Sequence, residues 1–522
     1  MKRATRRDFL KRGAAAAAAF GLPNFMPGGA RLAKGAEANS AVRLGVVGLG
    51  DINAVGGVGG RGHQLIRALE KVPGHRIVAL CDVDSAFLDR EAKPLRDKGG
   101  EVATYSDLRK LLDEPGIDAV VVATPNHWHA LATIWACEAG KDVYVEKPFS
   151  YNIWEGRQAV ASARKHKRMV QVGMQSRSSP ALREAFEYLR SGQLGAIRLA
   201  RAIVYRPRQS LGKAPGPVPV PATVDFDLWC GPAPNTRPVR KQLHYDWHWF
   251  WETGNGEVGN NGIHSIDVCR WALGQNQPAP RAISVGGRFG FDDDGQTPNT
   301  VVTFLDYRPA PLVLEVRNLR VSKEPNSMGL FRGGDSGVVI DCEGGYFAGD
   351  SSGGTVFDAK GKKIKSIPPE VPLEKYPDAA HLSNFLAVVR SRRSGDLAAE
   401  ALDGYRSVAC CHMANLSYRL GKCCEPGAIL DTIRGEADLA DAFQRCREYL
   451  QANNVDLAVT QATLGPWVSY DGQCGCFTGP LAEEATRLDY RGYRPPFVVS
   501  EISAAGPCPC RRRAVRRFHH GR

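Results

Sequence analysis

The sequence predicts an α/β fold in which an N-terminal doubly wound parallel sheet is followed by a second domain of α+β character. Two observations carry this. Between Ala41 and about Gly173, short apolar runs alternate with segments of helical periodicity, as a parallel sheet with crossover helices requires. After Gly173 the alternation gives way to strand-like stretches separated by long Pro- and Gly-rich loops. With 522 residues and 43% hydrophobic content, the chain can bury a core in each domain.

Taken in order, the first-domain strands read as Val42 to Val47, Arg76 to Cys81, Val102 to Thr104, Ala119 to Ala123, Asp142 to Val145 and Met169 to Gly173. Leu65 to Leu69, Leu108 to Leu112, Ala130 to Cys137 and Ile153 to Ala163 carry apolar residues at helical spacing between them. In the second domain Ala196 to Tyr205, Val301 to Leu305 and Leu312 to Val316 read as strands, and Ala401 to Leu420 as a helix. Ala214 to Pro221 and Asp292 to Pro298 read as surface excursions. The expected divisions are 41–173, 174–450, an extension 451–506 packing on the fold, and a basic tail 507–522.

The net charge of +13 is concentrated at the two ends. Residues 1–38 and 507–522 each carry +6, leaving about +1 for the body, so no broad basic face for nucleic acid is expected. Thr5, Arg6, Arg7, Asp8, Phe9, Leu10, Lys11 matches the twin-arginine export pattern. An Ala-rich run, Ala14 to Phe20, follows it, and Ala36, Glu37, Ala38 offers a cleavage site, so 1–38 reads as a signal peptide that hands a folded protein to the export machinery. The expected location is extracytoplasmic or periplasmic. No segment reaches about 18 unbroken apolar residues, which argues against stable membrane insertion. The fourteen cysteines lack zinc-site spacing and read as free thiols, and no metal site is expected.

Gly48, Leu49, Gly50 directly follow the first strand, where a dinucleotide-binding Rossmann fold turns tightly and presents a helix N-terminus to the pyrophosphate. The third glycine of that fingerprint is missing at its usual spacing. Removing Asp51 to Gly59 restores it, with Gly60 and Gly62 leading into an apolar helix, so the phosphate loop reads as carrying a nine-residue insertion. Asp82 at the end of the second strand is placed to accept from the adenosine ribose hydroxyls, which favours NAD. NADP would need Arg61 or a residue of the inserted loop to meet its 2′-phosphate.

Four further motifs follow: Thr124, Pro125, Asn126, His127, Trp128, His129; then Glu146, Lys147, Pro148; then Gly173, Met174, Gln175; and Gly262, Ile263, His264 with Asp267. With these motifs the chain resembles the Gfo/Idh/MocA family, which includes glucose-fructose oxidoreductase and inositol dehydrogenase, over roughly residues 42 to 450. The resemblance implies a C-terminal domain built on a large open, mostly antiparallel sheet, and a homo-oligomer, dimer or tetramer. It places Thr124, Pro125, Asn126, His129, Glu146, Lys147 and Gln175 beside the cofactor, with a Lys147-Pro148 peptide that is often cis. Lys147 and His264 would manage the proton of the reacting hydroxyl. The family usually has Asp where this chain has Asn260, which can orient a hydroxyl but cannot take its proton near neutral pH. Trp247, within the aromatic run Tyr245, Trp247, Trp249, Phe250, Trp251, is a candidate platform for a sugar ring.

The function these features imply is NAD(P)-dependent oxidation or reduction of a sugar, glycoside or polyol, with the nucleotide inserted before export and held tightly. Two other outcomes fit the same features. One is cleavage of a glycoside by transient oxidation, with no net redox change. The other is a secreted carbohydrate-binding protein without turnover.

Overall fold

The computed structural model describes residues 41–54, 59–321, 328–334, 336–368 and 377–502. Residues 1–38, expected to be a signal peptide, residues 55–58 of the inserted loop and the tail 507–522 lie outside the described residues. In the first domain, β1 (Val42–Val47), β2 (His75–Cys81), β3 (Ala103–Tyr105), β4 (Ala119–Val122), β5 (Asp142–Val145) and β6 (Val170–Val172) form a parallel sheet in the order β3-β2-β1-β4-β5-β6. The crossover helices are α1 (Arg61–Leu69), α2 (Ser85–Asp97), α3 (Leu108–Leu112), α4 (Asn126–Glu138) and α5 (Ile153–Lys165). The central strands β4 and β5 are buried on both faces because helices cover both. Leu44, Val46 and Val121 pack with Leu65 and Leu69 of α1. Val47, Val120 and Val122 pack on the other side with Leu111 of α3 and Leu131 of α4. Asp84, Asp107 and Asn152 cap α2, α3 and α5 through their side chains, which sets where these helices begin.

The second domain adds α6 (Pro180–Arg190), β7 (Ile197–Tyr205), α7 (Ile263–Ala272), β8 (Arg281–Gly287), β9 (Thr300–Leu305), β10 (Leu312–Arg317), β11 (Ser336–Cys342), β12 (Gly345–Asp350), β13 (Gly353–Asp358) and β14 (Lys363–Ile367). They are followed by α8 (Asp378–Ser391), α9 (Ala401–Leu420), β15 (Lys422–Cys424), α10 (Pro426–Ile433), α11 (Ala437–Ala452), β16 (Ala462–Leu464), β17 (Val468–Asp471), β18 (Cys476–Thr478) and α12 (Ala482–Asp489). The strand order is β14-β13-β12-β11-β7-β10-β9-β8-β16-β15, with β17 beside β8 and β18 beside β17. β7 and β10 run parallel; the other pairs are antiparallel.

One face of this sheet packs on α7 and α9. The other face is not left open at β8, β9 and β10, where Ile283, Val302, Phe304 and Val313 pack against Ile429 of α10 and Leu439 and Phe443 of α11. Residues 451–502 contribute β16, β17 and β18 to the sheet and then cross to the first domain. There Asp489 accepts from the amides of Ile153 (2.9 Å) and Trp154 (3.1 Å) at the start of α5.

Arg491 makes the next anchor of this crossing segment. It donates to buried Glu155 at 2.9 Å and to the carbonyl of His127 at 3.0 Å, and its guanidinium lies 3.9 Å over the Tyr151 ring. Glu155 is wholly buried, and burial pushes its carboxyl up while Arg491 pulls it down. Arg491→Ala removes the cation paired with that carboxylate and leaves it the Tyr493 hydroxyl at 3.1 Å. A loss of about 3–5 kcal/mol in unfolding free energy is expected from urea titration, the range for removing one partner of a buried pair. A loss under about 1 kcal/mol, as for a surface ion pair, would mean that this crossing segment does not anchor the fold.

Candidate active site

The C-terminal ends of β1, β4, β5 and β6 meet the second domain at a cavity of about 620 Å³. It opens where the strand order reverses between β1 and β4, the position at which doubly wound sheets bind their ligands. Gly48, Gly50, Asp82, Thr124, Pro125, Asn126, His129, Glu146, Lys147, Gln175, Trp247, Asn260 and His264 all line it. Of the residues singled out from the sequence, Gly60 and Gly62 lie behind the wall. Gly60 precedes α1, and Gly62 sits in its first turn.

The glycines on either side of the insertion pack closely. Gly48 has φ +81°, and a Cβ there would stand 2.7 Å from the Thr124 amide nitrogen. A Cβ on Gly62 would fall 1.9 Å from the Gly48 carbonyl oxygen, so α1 lies directly against the turn after β1. Asp82 ends β2, with its carboxylate accepting from the amides of Leu49 (2.6 Å) and Asp84 (2.9 Å). The Thr124 hydroxyl is buried without a partner among the described residues. A turn stripped of Cβ atoms, a carboxylate at the end of the second strand and an unsatisfied hydroxyl in the cavity wall fit a dinucleotide.

Glu146 joins three motifs. Its carboxylate accepts from Arg61 of α1 (2.9 and 2.8 Å), from Gln175 (3.0 Å) and from the Lys147 amide (3.1 Å). Gly173 is required beside it, because a Cβ there would stand 2.8 Å from the carboxylate. Arg61 also pairs with Asp378 (2.9 and 2.7 Å), so its guanidinium is committed to two carboxylates. That commitment leaves it poorly placed to serve a 2′-phosphate.

Lys147 follows on a cis Lys147-Pro148 peptide. Its ammonium donates across the domain boundary to the carbonyl oxygen (2.7 Å) and side-chain oxygen (3.1 Å) of Asn260. Burial lowers the Lys147 pKa to about 8. Asn260 lies in a π-helical turn, Val258–Gly262, immediately before α7. His264 is the second residue of α7. Burial, and then the charges of Lys147, Arg61 and Arg206, hold its pKa well below the usual imidazole value. Asp267 sits deeper, paired with Arg177 at 2.8 and 2.9 Å.

Other histidines and aromatics have defined places. The ring nitrogens of His129 stand 2.6 Å from the Pro148 carbonyl and 2.7 Å from that of Thr124, tying the Thr-Pro-Asn-His turn to the Lys-Pro turn. His127 is fully buried, 3.0 Å from the Trp229 carbonyl, and burial lowers its pKa to about 3. Trp247 lines the cavity, as do Tyr245 and His248, while Trp249 and Phe250 are core residues.

Sequence reasoning missed part of the wall on the side of Asn260 and His264. Arg206 and Arg208, just past the end of β7, line the cavity; Arg208 pairs with Glu257 at 2.9 and 3.0 Å. It also missed the segment running from Thr223 to Trp247, which returns to the first domain. Ser85 donates to Thr223 (3.0 Å), Asp225 donates to Val83 (2.9 Å), and the His244 ring meets Asp84 at 3.1 Å. A single Arg in a loop carries no periodic signal, and these contacts span well over a hundred residues of sequence.

Residues 42–174 match the family described as "Oxidoreductase family, NAD-binding Rossmann fold", and residues 209–308 match its "C-terminal alpha/beta domain". The inositol 2-dehydrogenase 1 of Saccharopolyspora erythraea is 39% identical over 158 residues, which is 30% of this chain and 43% of that protein. The levoglucosan dehydrogenase of Pseudarthrobacter phenanthrenivorans is 34% identical over 229 residues, 42% of this chain and 50% of that one. The chain thus spans half or less of the length of these relatives. In fold it is similar to the aldose-aldose oxidoreductase of Caulobacter crescentus, with a TM-score of 0.51 at 18% identity over 72% of this chain and 97% of that one. In these two matched segments the chain is similar to the NAD-binding Rossmann domain and the C-terminal α/β domain of the Gfo/Idh/MocA oxidoreductases.

Proposed function

We propose that the protein is an exported oxidoreductase that acts on a secondary hydroxyl of a sugar or polyol and keeps its NAD as a resident cofactor. The observation that carries the reading is the placement of Lys147 Nζ, buried at the domain boundary and bonded to Asn260 at the mouth of the nucleotide cleft. Bound NAD would supply the hydride acceptor. Lys147 takes the hydroxyl proton, since burial brings its pKa close to the range where a neutral amine is available. His264, held neutral among cations, orients the hydroxyl through a hydrogen bond and leaves proton transfer to Lys147. Asn260 can do no more than orient, and a carboxylate there would have stabilised a protonated His264.

Retention of the nucleotide is supported by the segment from Thr223 to Trp247. Leu228, Trp229, His244 and Trp247 line the same end of the cavity as Asp82, Val83 and Phe87, so the adenosine half would lie under a cover. The cover is fixed by the Asp84–Val224 bridge, by the Trp128 indole donating to the carbonyls of Leu228 (3.1 Å) and Trp229 (3.2 Å), and by the His244 ring 4.7 Å from that of Phe87. Export is supported by the twin-arginine motif at Arg6 and Arg7. Self-association through the large sheet would use its β11 to β14 half, because α10 and α11 cover β8 to β10.

Each part has its measurement. With a sugar panel and nicotinamide absorbance as readout, kcat/KM for oxidation should rise through about pH 8 and level off above it, as Lys147 loses its proton. Lys147→Met should lower kcat by about 10²–10⁴-fold with the nucleotide still bound. Full activity in that variant, or a flat profile, would contradict the role. Release of a bound aglycone with no lasting absorbance change would instead identify the glycoside-cleaving reaction. His244→Ala should speed nucleotide release by about tenfold, equivalent to about 1.4 kcal/mol, and an unchanged rate would mean that the cover does not retain it. The Arg6→Lys, Arg7→Lys double variant should remain in the cytoplasmic fraction, and unimpaired export would remove the twin-arginine assignment.

A further inference from the structure

The cations around the reacting centre outnumber the anions that could balance them. Lys147, Arg206 and Arg208 line the cavity on the side of Asn260 and His264. The carboxylate facing them is Glu257, which is wholly buried behind the wall. Arg208 takes both of its oxygens, at 2.9 and 3.0 Å, and also donates to the Tyr245 hydroxyl at 3.1 Å. Asn261 donates to the same Glu257 carboxylate. Arg206 donates to Asn261 Oδ1 at 2.6 Å, a neutral acceptor, and to no carboxylate among the described residues. Glu146 and Asp378 are occupied by Arg61, and Asp82 and Asp107 lie at the adenosine end. A guanidinium in a cavity wall with only a neutral partner is a ready site for an anion, and its planar fork matches a carboxylate.

We propose that the substrate carries a carboxylate, a hexuronate or aldonate rather than a neutral sugar, and that Arg206 binds that carboxylate while Lys147 addresses the hydroxyl. The inference rests on the sugar-oxidoreductase reading and narrows it to a substrate class. Position separates Arg206 from the nucleotide-binding groups. It stands on the second-domain wall, one residue past β7, and bonds to the neighbour of Asn260, whereas the pyrophosphate cradle is the glycine turn after β1.

The test uses full-length protein carrying its NAD. Binding by calorimetry and kcat/KM are compared for glucuronate with glucose, galacturonate with galactose, gluconate with sorbitol, and glucose 6-phosphate. The expected result is a preference of about tenfold or more for the acid of at least one pair. That preference should be lost in Arg206→Gln and partly kept in Arg206→Lys, with melting curves confirming that both variants are folded. Equal handling of acid and neutral partners, a preference unchanged in Arg206→Gln, or a preference for the phosphoester would overturn this proposal and leave the sugar-oxidoreductase reading standing. Failure of every compound to bind or react would overturn both.

Discussion

The site depends on one buried carboxylate. Glu146 has little exposure and three donors, and each donor comes from a different part of the chain: Arg61 at the start of α1, Gln175 after β6, and the amide of Lys147. A charge so far from water is tolerated only when its partners are in place. The arrangement therefore fixes the end of the phosphate loop, the end of β6 and the direction in which the chain leaves β5. Lys147 is the next residue, and its reach to Asn260 follows from that direction. Gly173 leaves room for the carboxylate, and His129 ties the turn after β4 to the Pro148 carbonyl. Three sequence motifs that look separate are one hydrogen-bonded unit.

Charge then divides the cavity. At the adenosine end Asp82 and Asp107 face the space; at the other end Lys147, Arg206 and Arg208 do, with Glu257 behind them. Burial lowers the pKa of Lys147, and positive neighbours add to burial at His264. The two groups that could exchange protons are thereby pushed apart: an amine near pH 8, and an imidazole that stays neutral through the physiological range. Asn260 belongs to this pattern. An acid at its place would offset the Lys147 charge and return His264 toward protonation.

Much of the fold was legible in the sequence because it follows from local rules. All six parallel strands lie within one or two residues of their expected limits, since most are short, largely apolar runs ending in a polar or glycine turn. The helix Ala401–Leu420 coincides with its expected span. The interrupted glycine loop was readable because Gly60 and Gly62 resume a spacing that close packing enforces. Long-range closure was not readable. The packing of α10 and α11 on β8 to β10, the anchoring of Asp489 and Arg491 on the first domain, and the return of His244 to Asp84 join residues far apart in the chain. Nor did Arg206 stand out, because its meaning lies in its pairing with the neutral side chain of Asn261, which only the folded arrangement reveals.

The central claim is that the hydroxyl to be oxidised is held between Lys147 and the nucleotide cleft. A crystal structure of the NAD-loaded protein with a bound sugar or sugar acid tests it most directly, read as the distance from Lys147 Nζ to the nearest substrate hydroxyl. The account predicts a hydrogen bond of about 2.7–3.2 Å, with the carbon of that hydroxyl facing the nicotinamide ring. A ring bound with its hydroxyls out of reach of Lys147, or a nucleotide lying outside the cleft between Gly48 and Asp82, would contradict it.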